Sequence, residues 1–527
     1  MSELIELKDK TLIDMLLEEQ RQVQTPMGRF AEAAEEAAAE QASRFGDLIP
    51  LSAPRAGEQY AFQVDLDRCS GCKGCVTACH SLNGLDENET WRDIGMLVGE
   101  GERGPALQTV TTACHHCVEP ACMIGCPVDA YEKDEVSGIV LHLDDQCIGC
   151  QYCVLKCPYD VPKFSPKRGI VRKCDMCHSR LSSGEAPACV QACPHEAIKI
   201  VTVEKEEAVA RSQDPDSFLP DSPEPGYTKP TTRYVSKKGL PKNMVAGDSH
   251  VLRVQHTHWP LVGLLALSQL GVGGFVAAAL DLGSLQCNLG YASFLGAWLV
   301  FHLGLVCSAL HLGQPLKAWR VFLGFRRSWL SREAVILGAC SGVSCVAIGA
   351  VAAGLFGYLD EFPWLESLQV GAVFATALLG LVGVFTSVYI YVDTRRSFWK
   401  LPYSLSKFYG SVALGACAFY MLAAGGASLA MASAFVGLVV LKLVVEAKSF
   451  GDNRSSQGLM ESVLNPLWKA RLSIAALSCV AAMAATRYEG VVVSSIVLLL
   501  VCLGELAERV LYFKAVNAPK MPGGLNG

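Results

Sequence analysis

Residues 69–79 read CSGCKGCVTAC. The C-x2-C-x2-C turn curls three thiols around one point. The fourth cysteine, three residues on, starts a helix that leaves in another direction. That is the pattern that grips a [4Fe–4S] cubane and hands one ligand to a neighbouring cluster. Three more groups of four cysteines follow, and the one at 147–157 repeats the spacing. Cys114, Cys117, Cys122 and Cys126 are spaced C-x2-C-x4-C-x3-C and precede Pro127. Cys147, Cys150, Cys153 and Cys157 precede Pro158, and Cys174, Cys177, Cys189 and Cys193 precede Pro194. These sixteen thiolates fit four [4Fe–4S] clusters of four ligands each, with none left over. Zinc also takes CxxC pairs, but C-x2-C-x2-C-x3-CP in near-repeat is not its habit.

Outward from this core the chain changes character. It has 527 residues and 23 cysteines, and the seven outside the four groups fall in an apolar second half. No secretory stretch opens it, so the expected compartment is reducing and the thiols are ligands rather than disulfides. A net charge of −6 is mild and points to no nucleic-acid role. The expected fold class is an α+β double-ferredoxin iron–sulfur domain followed by an all-α polytopic membrane domain of about eight transmembrane helices. Residues 1–57 read as a helical extension, with RFAEAAEEAAAEQA at 29–42 as an amphipathic surface helix. The cluster domain spans 58–205. Residues 206–252, including DPDSFLPDSPEPGYTKP, read as an extended linker or an arm lying on a partner. The anchor spans 253–515, and 516–527 form a tail.

Apolar runs at about 259–280, 290–310, 334–356, 368–392, 408–424, 429–446, 470–486 and 491–508 approach the roughly 20 residues that cross a bilayer. Basic residues gather in alternate loops: Arg233 to Arg253 before the first span, Lys317 to Arg332 after the second, Arg395 to Lys407 after the fourth and Lys448 to Arg471 after the sixth. By the positive-inside rule the cluster domain and both termini are expected on the cytoplasmic face of a bacterial inner membrane.

Residues 58–205 resemble the four-cluster electron-transfer subunit of molybdopterin oxidoreductases of the dimethyl sulfoxide reductase family. The resemblance implies nested pairing. One cluster takes Cys69, Cys72, Cys75 and Cys193, and a second takes Cys79, Cys174, Cys177 and Cys189. A third takes Cys114, Cys117, Cys122 and Cys157, and the fourth takes Cys126, Cys147, Cys150 and Cys153. Spacing alone gives the four groups; only the resemblance gives the pairing. His115 and His116 lie between two ligands, and with the cysteine count complete they are expected to pack or to hydrogen-bond cluster sulfur. Lys73, Lys156 and Lys173 read as surface lysines or as charges that tune cluster potentials.

Ser308–Ala334, SALHLGQPLKAWRVFLGFRRSWLSREA, joins two spans. Its LHLG and SWLSRE, with HWPL at 258–261 and GELAER at 504–509, are similar to the quinol-binding anchor subunit of dimethyl sulfoxide reductase. Quinol oxidation releases two protons and two electrons, so a site needs proton acceptors beside an electron acceptor. By the resemblance, His311 and Glu333 are the quinol residues, with Arg332 a candidate ion-pair partner for Glu333. The quinone would be menaquinone or ubiquinone. His302 lies mid-span without an evident mate, and no haem is expected. Lys442 with Glu446, and Glu505 with Arg509, stand at i,i+4 and read as ion pairs at helix ends.

The resemblance implies an electron-transfer and anchor subunit whose catalytic partner is a separate molybdenum or tungsten pterin chain. A formate dehydrogenase- or hydrogenase-type partner would use the same wiring. A redox-driven ion pump would need charges deep in several spans, which the sequence reads as nearly free of them.

Overall fold

The computed structural model describes residues 46–523, apart from 51, 88, 102–103, 359–361 and 489, together with Ile13, Met15 and Leu16. The surface helix expected at 29–42 lies outside the described residues.

The cluster domain runs β1 (Glu58–Asp65), α1 (Gly74–Leu82), β2 (Asp93–Gly101), β3 (Gly104–Thr112), α2 (Ala121–Ile124), β4 (Tyr131–Lys133), β5 (Val140–His142), α3 (Tyr152–Lys156), β6 (Lys163–Ser165), β7 (Ile170–Arg172), α4 (His178–Ser182), α5 (Ala188–Gln191) and β8 (Ile198–Glu204). β1 pairs antiparallel with β8, setting Phe62 opposite Ile200 and Val64 opposite Ile198, all four buried. The two-stranded pairs β4–β5 and β6–β7 lie between them in sequence. One ferredoxin-like unit is thus inserted into another. α2, α3 and α5 each stop just short of a cysteine followed by proline, which has no N–H to continue the turn.

Residues 206–252 are not a free linker. After α6 (Lys205–Arg211), β9 (Arg233–Val235) adds in parallel to β1 and β10 (Val245–Ala246) pairs with β2. Thr231 donates to the His115 carbonyl, and the Tyr159 and Thr228 hydroxyls share a hydrogen bond. The proline-rich composition suits an extended arm, and the arm is laid on its own domain. The tail also returns: Met521 is buried in the cluster-domain core, and Met96 donates to the Gly523 carbonyl.

Among the described residues, eight helices are long and apolar enough to cross a membrane. They are α7 (Trp259–Leu280), α8 (Asn288–Leu310), α9 (Trp329–Leu355), α10 (Trp364–Val392), α11 (Leu401–Ala424), α12 (Leu429–Gly451), α14 (Asn465–Ala484) and α15 (Val491–Lys514). The short α13 (Arg454–Glu461) links α12 to α14. α7 is the hub, packing on α8, α10, α11 and α15. Its LGVGG run makes this possible. A Cβ on Gly271 would stand 2.8 Å from the Phe301 Cα of α8, and one on Gly273 would stand 2.6 Å from the Ala416 amide of α11. Small residues let backbones approach where lipid offers no hydrophobic drive between helices.

The spans are not nearly free of charge, and the i,i+4 pairs expected from sequence give way to pairing between helices for Lys442 and Glu446 and to an adjacent pair for Arg509. Lys442 of α12 pairs with Glu505 of α15. Arg471 of α14 bridges Glu446 at 3.0 Å and Glu505 at 3.3 Å. Arg509 pairs with Glu508 and donates to the Gln269 side chain of α7 at 2.6 Å. All of these side chains are buried. In an apolar medium a charge persists only where partners converge on it, and one helix cannot supply enough.

Candidate electron-transfer and quinone site

Eight of the sixteen cysteines line two cavities, and the other eight lie within electrostatic reach of one another. Cys69, Cys72, Cys75 and Cys193 line one cavity. Cys114, Cys117, Cys122 and Cys157 line another. The thiolates acting on Cys79 are Cys189 and Cys177, and Cys79 in turn acts on Cys174. Cys126 and Cys147 act on Cys150, and all three act on Cys153. α1 carries both Cys75 and Cys79, Cys174 and Cys114 lie within electrostatic reach of each other, and α3 carries Cys153 and ends at Cys157.

The donor set fits iron–sulfur cubanes. Burial, then the Cys189 thiolate, pushes the Cys79 thiol up to about 12. Gathered buried thiolates of this kind are stable only around compensating positive charge. Among the described residues no three His, Cys, Asp or Glu side chains close up around a single metal ion. Four cysteines line each of two cavities, the number that one [4Fe–4S] cluster takes. Backbone amides point at sulfur: Ala130 to Cys126 at 3.3 Å, Ala197 to Cys193 at 3.3 Å and Gly149 to Cys147 at 3.4 Å. His115 lines the third cavity, its Nδ1 on Thr232 at 2.9 Å and its Nε2 without a protein partner. Arg92, buried near Cys75, Cys79, Cys174 and Cys189, was not singled out from sequence. A lone arginine 13 residues past the first motif carries no spacing signal.

The fourth set meets the membrane domain. Cys150 lines a cavity of about 300 Å³ together with Tyr152, Leu261, Leu305, His311, Glu333 and Tyr391. His311 and Glu333, singled out in the sequence, are thus brought to one cavity. His311 caps the end of α8, and its Nε2 lies 3.2 Å from the Cys150 carbonyl. A carbonyl only accepts, so Nε2 carries the proton and Nδ1 is left as an acceptor. Burial holds His311 below the ordinary histidine range. Glu333, on the first turns of α9, is buried and accepts from the Ser387 hydroxyl of α10. Arg332 does not pair with it. Its guanidinium lies over the Trp329 ring at 4.4 Å and donates to the Phe325 and Arg326 carbonyls. His302 bonds Trp298 and Ser341 through its two ring nitrogens, at 2.8 Å each.

Lys156 is an anchor rather than a surface charge. Its Nζ meets Asp393 Oδ2 at 2.7 Å at the end of α10, and the Tyr152 hydroxyl donates to the same carboxylate at 3.2 Å. Asp393, missed in the sequence, is the one acid in the basic loop VDTRR.

The family model "4Fe-4S dicluster domain" matches residues 106–203, and "DMSO reductase anchor subunit (DmsC)" matches residues 254–514. The B subunit of anaerobic dimethyl sulfoxide reductase from Haemophilus influenzae is 37% identical over 157 residues, covering 28% of this protein and 76% of that one. The B subunit of the same enzyme from Escherichia coli K12 is 38% identical over 148 residues, covering 27% and 72%. The formate dehydrogenase-O iron-sulfur subunit of Escherichia coli K12 is 30% identical over 216 residues, covering 38% and 67%.

Proposed function

Because this chain belongs to the dimethyl sulfoxide reductase family, with the iron–sulfur subunit and the membrane anchor joined in one polypeptide, we propose that it passes electrons between membrane quinol and a separate pterin-bearing catalytic subunit. The sixteen cysteines hold four [4Fe–4S] clusters in the nested pairing. The set of Cys69, Cys72, Cys75 and Cys193 faces the partner, and the set of Cys126, Cys147, Cys150 and Cys153 faces the membrane. When bound, the clusters supply one-electron transfer from one to the next. Menaquinol or ubiquinol occupies the cavity under Cys150. His311 Nδ1 takes the proton of one quinol hydroxyl and Glu333 that of the other, while the two electrons leave one at a time toward the cysteine set beside Cys150. Ser387 holds the carboxylate in place, and the apolar walls exclude water. The gathering of basic residues in alternate loops supports a cluster domain on the cytoplasmic face.

The observation that carries this reading is the contact between His311 and Cys150, which puts a proton acceptor and the last cysteine set on one cavity. The test is anaerobic purification with metal analysis and rapid mixing with quinol. About sixteen irons per chain, four clusters of four, are expected. Quinol should bleach the cluster absorbance in the wild type, and His311→Ala should bleach only with dithionite. Stoichiometric zinc, or unchanged quinol bleaching in His311→Ala, would sink the proposal. The match to a formate dehydrogenase subunit keeps that partner type open, and molybdenum, tungsten or nickel in the co-purified complex decides it. The ionic network in α12, α14 and α15 favours a second reading, a redox-driven ion pump; more than two protons released per quinol in vesicles would establish it.

A further inference from the structure

Between α8 and α9 the chain forms a single 3-10 strap, Pro315–Phe322. A 3-10 helix has three residues per turn, so positions i and i+3 eclipse and the strap has three faces. Leu316, Trp319 and Phe322 make one face and are 94%, 65% and 60% exposed. Lys317 and Arg320 make the second, and both donate to the Asp145 carbonyl of the cluster domain, at 2.9 and 3.1 Å. Ala318 and Val321 make the third, and both line the cavity of His311 and Glu333.

Both ends of the strap are pinned to the loops that carry the fourth cysteine set. Gln314 donates to the Ile148 carbonyl at 3.0 Å, and Gly324 donates to the Pro127 carbonyl at 2.9 Å. The cavity below also reaches the outside. Ala309 of α8 and Gly338 of α9 line it, and both are exposed on the flank of the helix bundle. The exposed strap face continues the apolar flank formed by Leu310 and Val306 of α8 and is followed by Leu323 and Phe325. A tryptophan among aliphatic residues, backed by a basic face, is the composition of a segment lying at the membrane–water boundary.

We propose that the cleft between α8 and α9 is the doorway through which a lipid-dissolved quinone enters, and that the strap is its lintel, seated among lipid acyl chains by Leu316, Trp319 and Phe322. This rests on the quinone reading of the cavity. The strap's three faces divide the work. One holds lipid, one fixes the strap to the cluster domain, and one forms the cavity roof. Trp319 and Leu316 are positioning residues that never touch the reacting ring.

The test uses the complex reconstituted in phosphatidylcholine–phosphatidylglycerol vesicles. The electron donors are a quinol with a long isoprenoid tail and tailless duroquinol. Leu316→Asp with Trp319→Asp should raise KM for the tailed quinol about tenfold, leave its kcat within twofold and leave duroquinol oxidation within twofold. Equal losses with both quinols, or no change with either, would overturn the doorway. Should that variant fail to assemble, a benzoylphenylalanine at position 319 replaces one bulky aromatic by another. On irradiation it should attach to lipid, and attachment to protein alone would overturn the seating. A wild type that oxidises neither quinol refutes the quinone reading itself, which is a different result.

Discussion

Gly149 of the cluster domain and Gly313 of the membrane domain meet backbone to backbone: a Cβ built on Gly149 would stand 2.9 Å from the Gly313 Cα. Gly169 closes the same junction, since a Cβ on Gly313 would collide with its carbonyl oxygen. Gly149 and Gly169 also have positive φ, 70° and 66°. Gly313→Ala therefore has no side chain to push aside and must part the two domains. We expect a loss of about 1–3 kcal/mol of stability, the usual cost of overpacking. Because His311 is two residues away, quinol-driven bleaching should fall at least tenfold, with iron content and dithionite bleaching retained. Stopped-flow absorbance checks this, and a variant as fast as the wild type would remove the junction from the electron route.

The second prediction concerns Lys156 and Asp393. The pair is reinforced by Tyr152 and by the Tyr227 hydroxyl, which donates to the Asp393 carbonyl at 3.1 Å. Lys156 is buried while Asp393 is one-third exposed. Lys156→Met should cost about 1–3 kcal/mol, less than the about 3–5 kcal/mol of a fully buried pair, because water screens the carboxylate. Asp393→Asn should cost at least as much, since it leaves the buried Lys156 ammonium without a counter-charge. Thermal unfolding in detergent, read as a double-mutant cycle, gives the coupling. Additive single effects would show the contact to be idle.

How far the sequence reached can be judged at Cys150, Glu333 and Glu446. Cysteine spacing is a local signal, so the four groups and the double-ferredoxin fold were legible, as were eight apolar runs. Glu333 was legible through its motif, but Ser387, its partner 54 positions away, was not, because nothing local marks a serine in an apolar helix. Glu446 was misread for the same reason: its neighbour at i−4 is Lys442, yet its partner is Arg471 on another helix. The arm at 206–252 looked like a linker because its pairing with β1 and β2 is decided by strands more than 140 positions away.

The third prediction is a pH dependence at the tail. Asp248 accepts from Lys520, from Arg253 at 3.1 Å and from the Gly523 amide at 3.1 Å. Burial alone would raise its carboxyl, but Lys520 and the amide outweigh that and hold it below the ordinary range. A depressed carboxyl stabilises above its unfolded value, near 3.9, and the stabilisation is lost as pH falls through the lower folded value. The tail should stay docked from neutral pH down to about 4 and release below. Asp248→Asn should release it at neutral pH. Carboxypeptidase digestion followed by mass spectrometry reads this; equal resistance of the variant and wild type at pH 7 would refute the latch.

The last prediction tests the ionic network of α12, α14 and α15. Arg471 serves two carboxylates at once, Glu446 and Glu505. Glu505 keeps Lys442 and the Ser411 hydroxyl if Arg471 is lost, whereas Glu446 keeps nothing, its second oxygen already lacking a partner. Arg471→Met therefore strands one buried carboxylate rather than two. The expected cost is about 3–5 kcal/mol. Removing the stranded charge should undo much of it, so Arg471→Met with Glu446→Met should be more stable than Arg471→Met alone. Arg471→Met with Glu505→Met should be less stable than that pairing, because it leaves both Lys442 and Glu446 unmatched. Unfolding by sodium dodecyl sulfate in mixed micelles ranks the three. The opposite order of the two double variants would mean that Glu505, not Glu446, depends on Arg471, and the network would have to be redrawn around Lys442.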